Sequence, residues 1–147
     1  MIGIGTEMRG DDGLGPAAVA LLRGRLGATG GVDVVALDGE PTRLIEEWRG
    51  RELVVVIDAV RNGGVGGELH RVEVSDLFGA ERSTLASSHH GGLAEAVALG
   101  RILERLPDRL VVYGVEPVDM LAGSDLSPEV RGALPQLLDA VSAEVHR

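Results

Sequence analysis

Apolar runs of strand length alternate with stretches of helical periodicity along the whole chain. Such alternation is typical of a mostly parallel sheet with helices on both faces. The clearest strand signal is the unbroken apolar run 53–57, which is too short for a helix and typical of a strand covered on both sides. We therefore predict an α/β fold of three layers: a mostly parallel, twisted sheet flanked by helices, with one antiparallel edge strand.

The same pattern places the individual elements. Strands are predicted at the N-terminus as far as about residue 6, and at 32–37, 53–58, 68–74 and 110–115. The alternating segment 68–74 is the predicted edge strand, paired with its predecessor through the glycine-rich loop 62–67. Helices are predicted at about 14–26, 41–49 and 93–106, and from Pro128 onwards, because first-turn prolines and a terminal Pro107 mark their limits.

The amino-acid composition limits the classes of protein to which the chain can belong. The 147 residues correspond to one domain spanning 1–147, and the 44% hydrophobic content with only 2% aromatic residues predicts an aliphatic core. Neither cysteine nor lysine is present. Their absence excludes thiol nucleophiles, thiolate metal sites, internal Schiff bases, a pyridoxal-phosphate anchor and a Walker-type phosphate loop.

The formal net charge of −9 argues against nucleic acid as a partner, because phosphate backbones are bound by clustered cationic side chains. No window reaches the ~18 apolar residues that a membrane span needs, and the N-terminus carries no basic leader. We expect a cytoplasmic protein without a membrane partner.

Three polar residues map to the carboxyl ends of the predicted strands, where open parallel sheets bind their ligands: Asp12, Asp58 and His89. One of the neighbours Asp11 and Asp12 is expected to be the N-cap or a first-turn acid of the following helix. Asp58 follows five apolar residues, so its carboxylate is expected to be desolvated and to need a partner. Neighbouring side chains of an extended segment point opposite ways, so only one of His89 and His90 can face the site. The sequence does not decide which of the two imidazoles does so.

Two carboxylates and one imidazole suit a divalent metal with open coordination positions. Other histidines, His70 and His146, are expected at the surface.

Competing motifs are weak. Gly3-x-Gly5 lacks the third glycine of a dinucleotide fingerprint. A serine-histidine-aspartate triad would have to use Ser87 or Ser88, and a serine next to a histidine in sequence does not have the geometry that a triad requires.

Several segments together resemble the hydrogenase maturation protease family across nearly the whole chain. They are Gly3-Ile4-Gly5-Thr6, Gly10-Asp11-Asp12-Gly13-Leu14-Gly15, Ile57-Asp58-Ala59, Ser88-His89 with Gly92-Leu93-Ala94-Glu95-Ala96, Tyr113-Gly114-Val115-Glu116-Pro117 and Leu126-Ser127-Pro128-Glu129-Val130.

This resemblance implies an endopeptidase that removes the C-terminal extension from the nickel-loaded large-subunit precursor of a nickel-iron hydrogenase. Residue by residue, it implies that Asp12, Asp58 and His89 contact nickel supplied by the precursor and carry the catalysis, with Asp11 as a cap-like neighbour. It implies no organic cofactor, and we expect a monomer whose own nickel affinity is weak.

The nickel could polarise the scissile carbonyl or lower the pKa of a bound water, and the residues do not decide between these roles. If water attacks, Asp58 is the better general base, because burial is expected to raise its pKa in the absence of metal. Two other functions remain open. One is a factor that recognises the metal-loaded precursor without cutting it, and the other is a nucleotide-binding domain that uses residues 3–15.

Overall fold

A computed structural model of the chain describes residues 1–27, 30–78 and 92–146. The strands are β1 (Ile2–Ile4), β2 (Val35–Leu37), β3 (Leu53–Ala59), β4 (Leu69–Glu73) and β5 (Arg109–Val115), and the helices are α1 (Leu14–Leu26), α2 (Pro41–Trp48), α3 (Gly92–Ile102) and α4 (Pro128–Val145). Two 3-10 turns cover Gly10–Gly13 and Val74–Leu77. Within the described ranges, no helix is both long and apolar enough to cross a bilayer.

All five strands belong to one sheet with the order β2-β1-β3-β5-β4. Neighbouring strands run parallel, except that β4 is antiparallel to β5. The predicted fold class is therefore confirmed: a mostly parallel sheet with helices on both faces and one antiparallel edge strand.

The predicted partner of the edge strand is wrong. β4 pairs with β5 and not with its predecessor β3. The reason is that β5 lies alongside the whole length of β3, from Leu53 opposite Arg109 to Ala59 opposite Val115. The chain after β3 therefore crosses the end of β5 before it turns back as β4, and Glu116 N–H donates to Glu68 O at this crossing, at 2.9 Å.

Strand β3 separates two aliphatic layers, as its unbroken apolar run predicts. Val54 and Val56 pack in one layer with side chains of α2 and α3, including Trp48 and Leu93. The alternate residues of β3 face the other layer, which α1 and α4 cover. Since both faces of the strand are buried, its polar residue Asp58 lies near the end of a strand from which water is excluded.

Element ends differ from prediction by a few residues. β1 ends at Ile4 and β2 begins only at Val35. The larger difference is in α3, which was predicted to reach residue 106 and ends at Ile102. The chain reverses just after this point, because Glu104 adopts a positive φ of 54° and Leu106 folds back onto Gly100, where an added Cβ would lie 2.9 Å from Leu106 Cδ2.

Two glycines let the backbones of β1 and α1 touch. A Cβ added at Gly15 would lie 2.5 Å from Ile4 N, and one added at Gly3 would lie 2.6 Å from Val19 Cγ2. Because a rigid backbone lies opposite Gly15, there is no flexible side chain that could move aside. This close packing sets how far the start of α1, and the turn before it, stands from the sheet.

Gly15→Ala is expected to lower the free energy of unfolding by about 1–3 kcal/mol, which is typical of overpacking. Gly132 is the matched control, because it lies in α4 with no atom within 4 Å of an added Cβ. Gly132→Ala should stabilise by about 0.5–1 kcal/mol through helix propensity. Urea denaturation of both variants measures the two values, and equal effects of the two substitutions would contradict the close packing.

A network of charged side chains joins the edge strand to α4. Glu144 in α4 is 1% exposed, and its carboxylate accepts hydrogen bonds from Arg71 of β4 at 2.8 Å and from Arg109 of β5 at 3.2 Å. Tyr113 Oη donates to Glu144 Oε2 at 2.9 Å. Burial of the phenol, and then its hydrogen bond to Glu144, raise the pKa of Tyr113 above its ordinary value.

Tyr113 is the chain's single tyrosine, so its titration can be followed directly by phenolate absorbance. The midpoint in the folded protein should lie above the ordinary value of about 10. Because the folded-state pKa is the raised one, the contribution of the neutral phenol to stability is complete below pH 10 and is lost as the pH rises through the folded-state value. A midpoint at or below that of the urea-unfolded chain would contradict the network.

Candidate functional site

Buried acidic residues collect at the carboxyl edge of the sheet. Asp11 and Asp12 lie in the 3-10 turn after β1, Asp58 is near the end of β3, and Glu116 follows the last residue of β5. Their relative exposures are 0%, 5%, 1% and 6%. A buried carboxylate is costly unless neighbouring groups compensate it, so four of them at one edge mark this edge as the candidate site.

Asp58 lies where strand pairing holds its backbone on both sides. It faces Gly114 of β5 in the register, and on the other side Ile57 is paired with Gly3 of β1. Alternation along β3 puts its side chain on the same face as Val54 and Val56, towards α2 and α3. The carboxylate is 1% exposed, which confirms the desolvation predicted from the five apolar residues before it.

Asp12 is held over the end of β1. Its Oδ2 accepts a hydrogen bond from Thr6 N–H at 3.2 Å. Gly5 permits this approach, because its φ is +144° and an added Cβ would overlap the carbonyl oxygen of Asp12. Cα atoms of the turn that carries Asp12 also come within 8 Å of Cα atoms of β3. The structure thus brings Asp12 to the sheet edge where Asp58 lies.

Neither aspartate caps α1, whose N-cap residue is Gly13 without a side-chain cap, but both lie in the first turn of the 3-10 helix that precedes it. The carboxylate of Asp11 instead accepts hydrogen bonds from the backbone N–H groups of 118–119 at 2.7 and 3.0 Å, and from the N–H and hydroxyl of Ser127 at 2.7 and 2.9 Å. Its partners lie in the loop after β5, because the 3-10 turn directs the side chain across to that loop and not along α1.

Glu116 is a site residue that the sequence-based prediction did not include. Its Oε2 accepts a hydrogen bond from Asn62 N–H at 2.8 Å, and its carbonyl oxygen accepts one from Gly67 N–H, also at 2.8 Å. Glu116 therefore holds both ends of the glycine-rich loop 62–67. The signal was available, since Glu116 ends a buried apolar strand just as Asp58 does.

His89 falls in the segment 79–91 and lies outside the described residues, as do His90, Ser87 and Ser88. The first described residue after this segment is Gly92, at the start of α3. An added Cβ there would overlap the carbonyl oxygen of Gly39, in the loop after β2. Gly92 therefore lies beside the loop after β2, at the same edge of the sheet as Asp12 and Asp58.

The other two histidines of the chain, His70 and His146, are both described by the structure. His146 is exposed, as predicted. His70 is partly exposed: its side chain is 28% exposed, and its Nε2 lies 3.8 Å from Glu68 Oε2. It lies on β4 opposite Gly114, under the loop that carries Gly64.

In the described part of the chain, no three histidine, cysteine or acidic side chains are grouped so that they could hold a metal ion. Asp12 and Asp58 bring oxygen donors to one edge of the sheet but do not complete a metal site. This donor set fits an ion only if further ligands come from residues outside the described ranges or from a bound partner.

Asp11→Ala should remove the acceptor of four part-buried hydrogen bonds, and loss of a network on this scale costs about 3 kcal/mol or more. Asp139→Ala is the control, because that side chain is 75% exposed on α4 and makes a single surface ion pair with Arg25. Chemical denaturation compares the two. If both variants were equally stable, Asp11 would not hold the loop after β5.

Comparisons with known proteins identify relatives of this chain. The chain is 30% identical to the hydrogenase expression/formation protein HupD of Thiocapsa roseopersicina over 135 residues, which are 89% of this chain and 60% of that protein. It is also 30% identical to HupM of Azotobacter chroococcum over 142 residues, 94% of this chain and 66% of that protein. The chain thus spans less than two thirds of the length of either relative.

Solved structures share the fold. The hydrogenase maturating endopeptidase HybD from Escherichia coli matches with a TM-score of 0.75 at 22% identity, covering 99% of this chain and 90% of that chain. A hydrogenase 2 maturation peptidase from a Thaumarchaeota archaeon matches with a TM-score of 0.62 at 28% identity, covering 98% and 95%. A family model described as hydrogenase maturation protease matches residues 16–144. This match covers most of the chain, which therefore belongs to the hydrogenase maturation protease family.

Proposed function

We propose that this protein is an endopeptidase that removes the C-terminal extension from the nickel-loaded large-subunit precursor of a nickel-iron hydrogenase. The observation that carries the proposal is the pair of buried aspartates, Asp12 and Asp58, at the carboxyl edge of the sheet in a member of this family. Parallel sheets bind ligands at this edge because the loops and helix N-termini there converge.

The two aspartates are placed before any substrate binds. Asp58 is fixed by strand pairing on both sides, and Asp12 by the hydrogen bond from Thr6 N–H at 3.2 Å. Behind them, Asp11 and Glu116 hold the neighbouring loops. Carboxylates held in this way lose little conformational freedom when a substrate arrives, which favours catalysis by positioning.

In this proposal Asp12, Asp58 and His89 contact the nickel that the precursor carries as cargo. His89 is three positions before Gly92, and three peptide units span at most about 11 Å, so the imidazole is within reach of the edge where α3 begins. Nickel held there supplies Lewis-acid chemistry, by which a carbonyl is polarised or the pKa of a water is lowered. Two oxygen donors and one imidazole make a weak set by themselves, so the precursor's own ligands decide whether the ion is held.

The chain's contribution to hydrolysis is then proton transfer and orientation. Asp58 accepts the proton of the attacking water at a carboxylate oxygen and delivers it to the amine that leaves when the scissile C–N bond breaks. Asp12 orients the bound precursor from the adjacent loop. Cleavage of a precursor without nickel is disfavoured, because the contacts that fix its register are missing.

Asp12→Asn, Asp58→Asn and His89→Gln should each reduce removal of the C-terminal tail by at least about 100-fold, the lower range of general acid–base contributions. The matched controls are Asp139→Asn and His146→Gln, which change exposed residues of the same types. The measurement is the mass of the nickel-loaded precursor after incubation with each purified variant, with circular dichroism as the check on folding.

Normal tail removal by all three site variants would end the proposal. A different result separates cleavage from recognition. If the wild-type protein binds the loaded precursor but leaves its mass unchanged, the protein is a recognition factor and not a peptidase.

A further inference from the structure

Three loops at the carboxyl edge expose large apolar side chains. Met8 follows β1, Val65 lies between β3 and β4, and Val118 and Leu121 follow β5. Their exposed fractions are 62%, 78%, 49% and 67%. Single exposed apolar residues are common on protein surfaces, whereas a group of them on adjoining loops is typical of an interaction surface.

The three loops are joined to one another. Gly123 N–H donates to Met8 O at 2.6 Å, and Gly10 N–H donates to Ser124 O at 2.9 Å. The third loop joins through Gly66, where an added Cβ would overlap Val118 Cγ2. We call residues 5–13, 60–68 and 116–129 the loop platform.

The loop platform carries a net negative charge. It contains eight acidic residues and two arginines; three of the acids, Asp11, Asp12 and Glu116, are buried, so the accessible side chains have a formal charge of −3 from five acids and two arginines. The acidic residues are Glu7, Asp11, Asp12, Glu68, Glu116, Asp119, Asp125 and Glu129, and the arginines are Arg9 and Arg61. A surface that combines exposed apolar side chains with this charge is complementary to a segment that is both apolar and cationic.

We propose that the loop platform binds a segment of the large-subunit precursor in which apolar side chains are flanked by arginine or lysine. This inference rests on the proposed function and adds to it the chemistry of the substrate segment that docks beside the cleavage site. The segment seats its apolar side chains on Met8, Val118 and Leu121, and its cationic groups meet the carboxylates around them.

The platform is continuous with the candidate site. Asp11, the neighbour of Asp12, accepts the N–H groups of 118–119 at 2.7 and 3.0 Å. A segment bound across Val118 and Leu121 therefore leads to the turn that carries Asp12. Binding there positions the rest of the precursor for the two aspartates.

The negative charge of the loop platform also disfavours other binding partners. A second copy of the chain would bring two net negative surfaces together, and like charges facing each other at an interface repel. Nucleic acid and anionic lipid surfaces are repelled for the same reason. A cationic segment is attracted, and the attraction weakens as salt screens it.

The test measures kcat and KM for tail removal from the nickel-loaded precursor. The apolar variant is Met8→Asn with Leu121→Ser, where asparagine suits the positive φ of 63° at position 8. Its control is Ile102→Ser, which removes a 78% exposed side chain from α3, outside the platform. We expect KM to rise at least about fivefold in the apolar variant with kcat unchanged, which is the sign of lost ground-state binding, and neither constant to change in the control.

A second pair of variants tests the charge. Glu7→Gln with Asp125→Asn neutralises two exposed platform acids, and Glu46→Gln with Asp139→Asn neutralises two exposed acids on α2 and α4. The platform pair should raise KM and reduce its dependence on sodium chloride, whereas the control pair should leave both as in the wild type.

The two proposals fail in different ways. If the wild type neither cleaves nor binds the precursor, the proposed function falls and the docking inference falls with it. If the wild type cleaves normally and the platform variants keep the KM of their controls, only the docking inference is overturned. The docking inference alone is also overturned if the platform variants change only the sedimentation coefficient, because the surface would then join two copies of this chain.

Discussion

The carboxylate of Asp11 ties together the parts of the chain that form the candidate site. It belongs to the turn after β1, yet its four hydrogen bonds all go to the loop after β5, more than a hundred residues later. Without this contact the two loops would be held together only by the few backbone bonds between them, such as that from Gly10 to Ser124. The position of Asp12 depends on the same turn, so one buried side chain sets both the shape of the site and the surface beside it.

A steric constraint acts from the other side of this turn. Gly3 and Gly15 allow β1 and α1 to meet backbone to backbone, and Gly5 lets the turn close over the strand end. Close packing of β1 against α1 thus fixes the turn after β1 on one side, and the hydrogen bonds of Asp11 to the loop after β5 fix it on the other. The backbone of Asp58 is positioned differently, since it lies within a strand that β5 pairs along its whole length.

The sequence predicted most of the architecture because the signals involved are local. The apolar run at 53–57 indicated a strand covered on both faces, and Ser127 followed by Pro128 marked the start of α4, where Ser127 Oγ accepts Val130 N–H at 3.3 Å. Placing Asp12 and Asp58 at one edge followed from the rule for parallel sheets. The errors concern long-range choices: which strand β4 joins, and where the Asp11 side chain finds its donors. No local pattern encodes a hydrogen bond between residues 11 and 118, and the position of His89 is still a prediction.

The network around Glu144 has a consequence for the behaviour of the chain in concentrated solution. β4 is the last strand of the sheet within the described ranges, and such a strand is a template on which another molecule can add a strand of its own. Arg71 and Glu73 place opposite charges along it, and both are held by ion pairs with Arg109 or Glu144. A foreign strand that pairs there would meet fixed charges, so the network that fastens β4 also disfavours strand addition at this edge of the sheet.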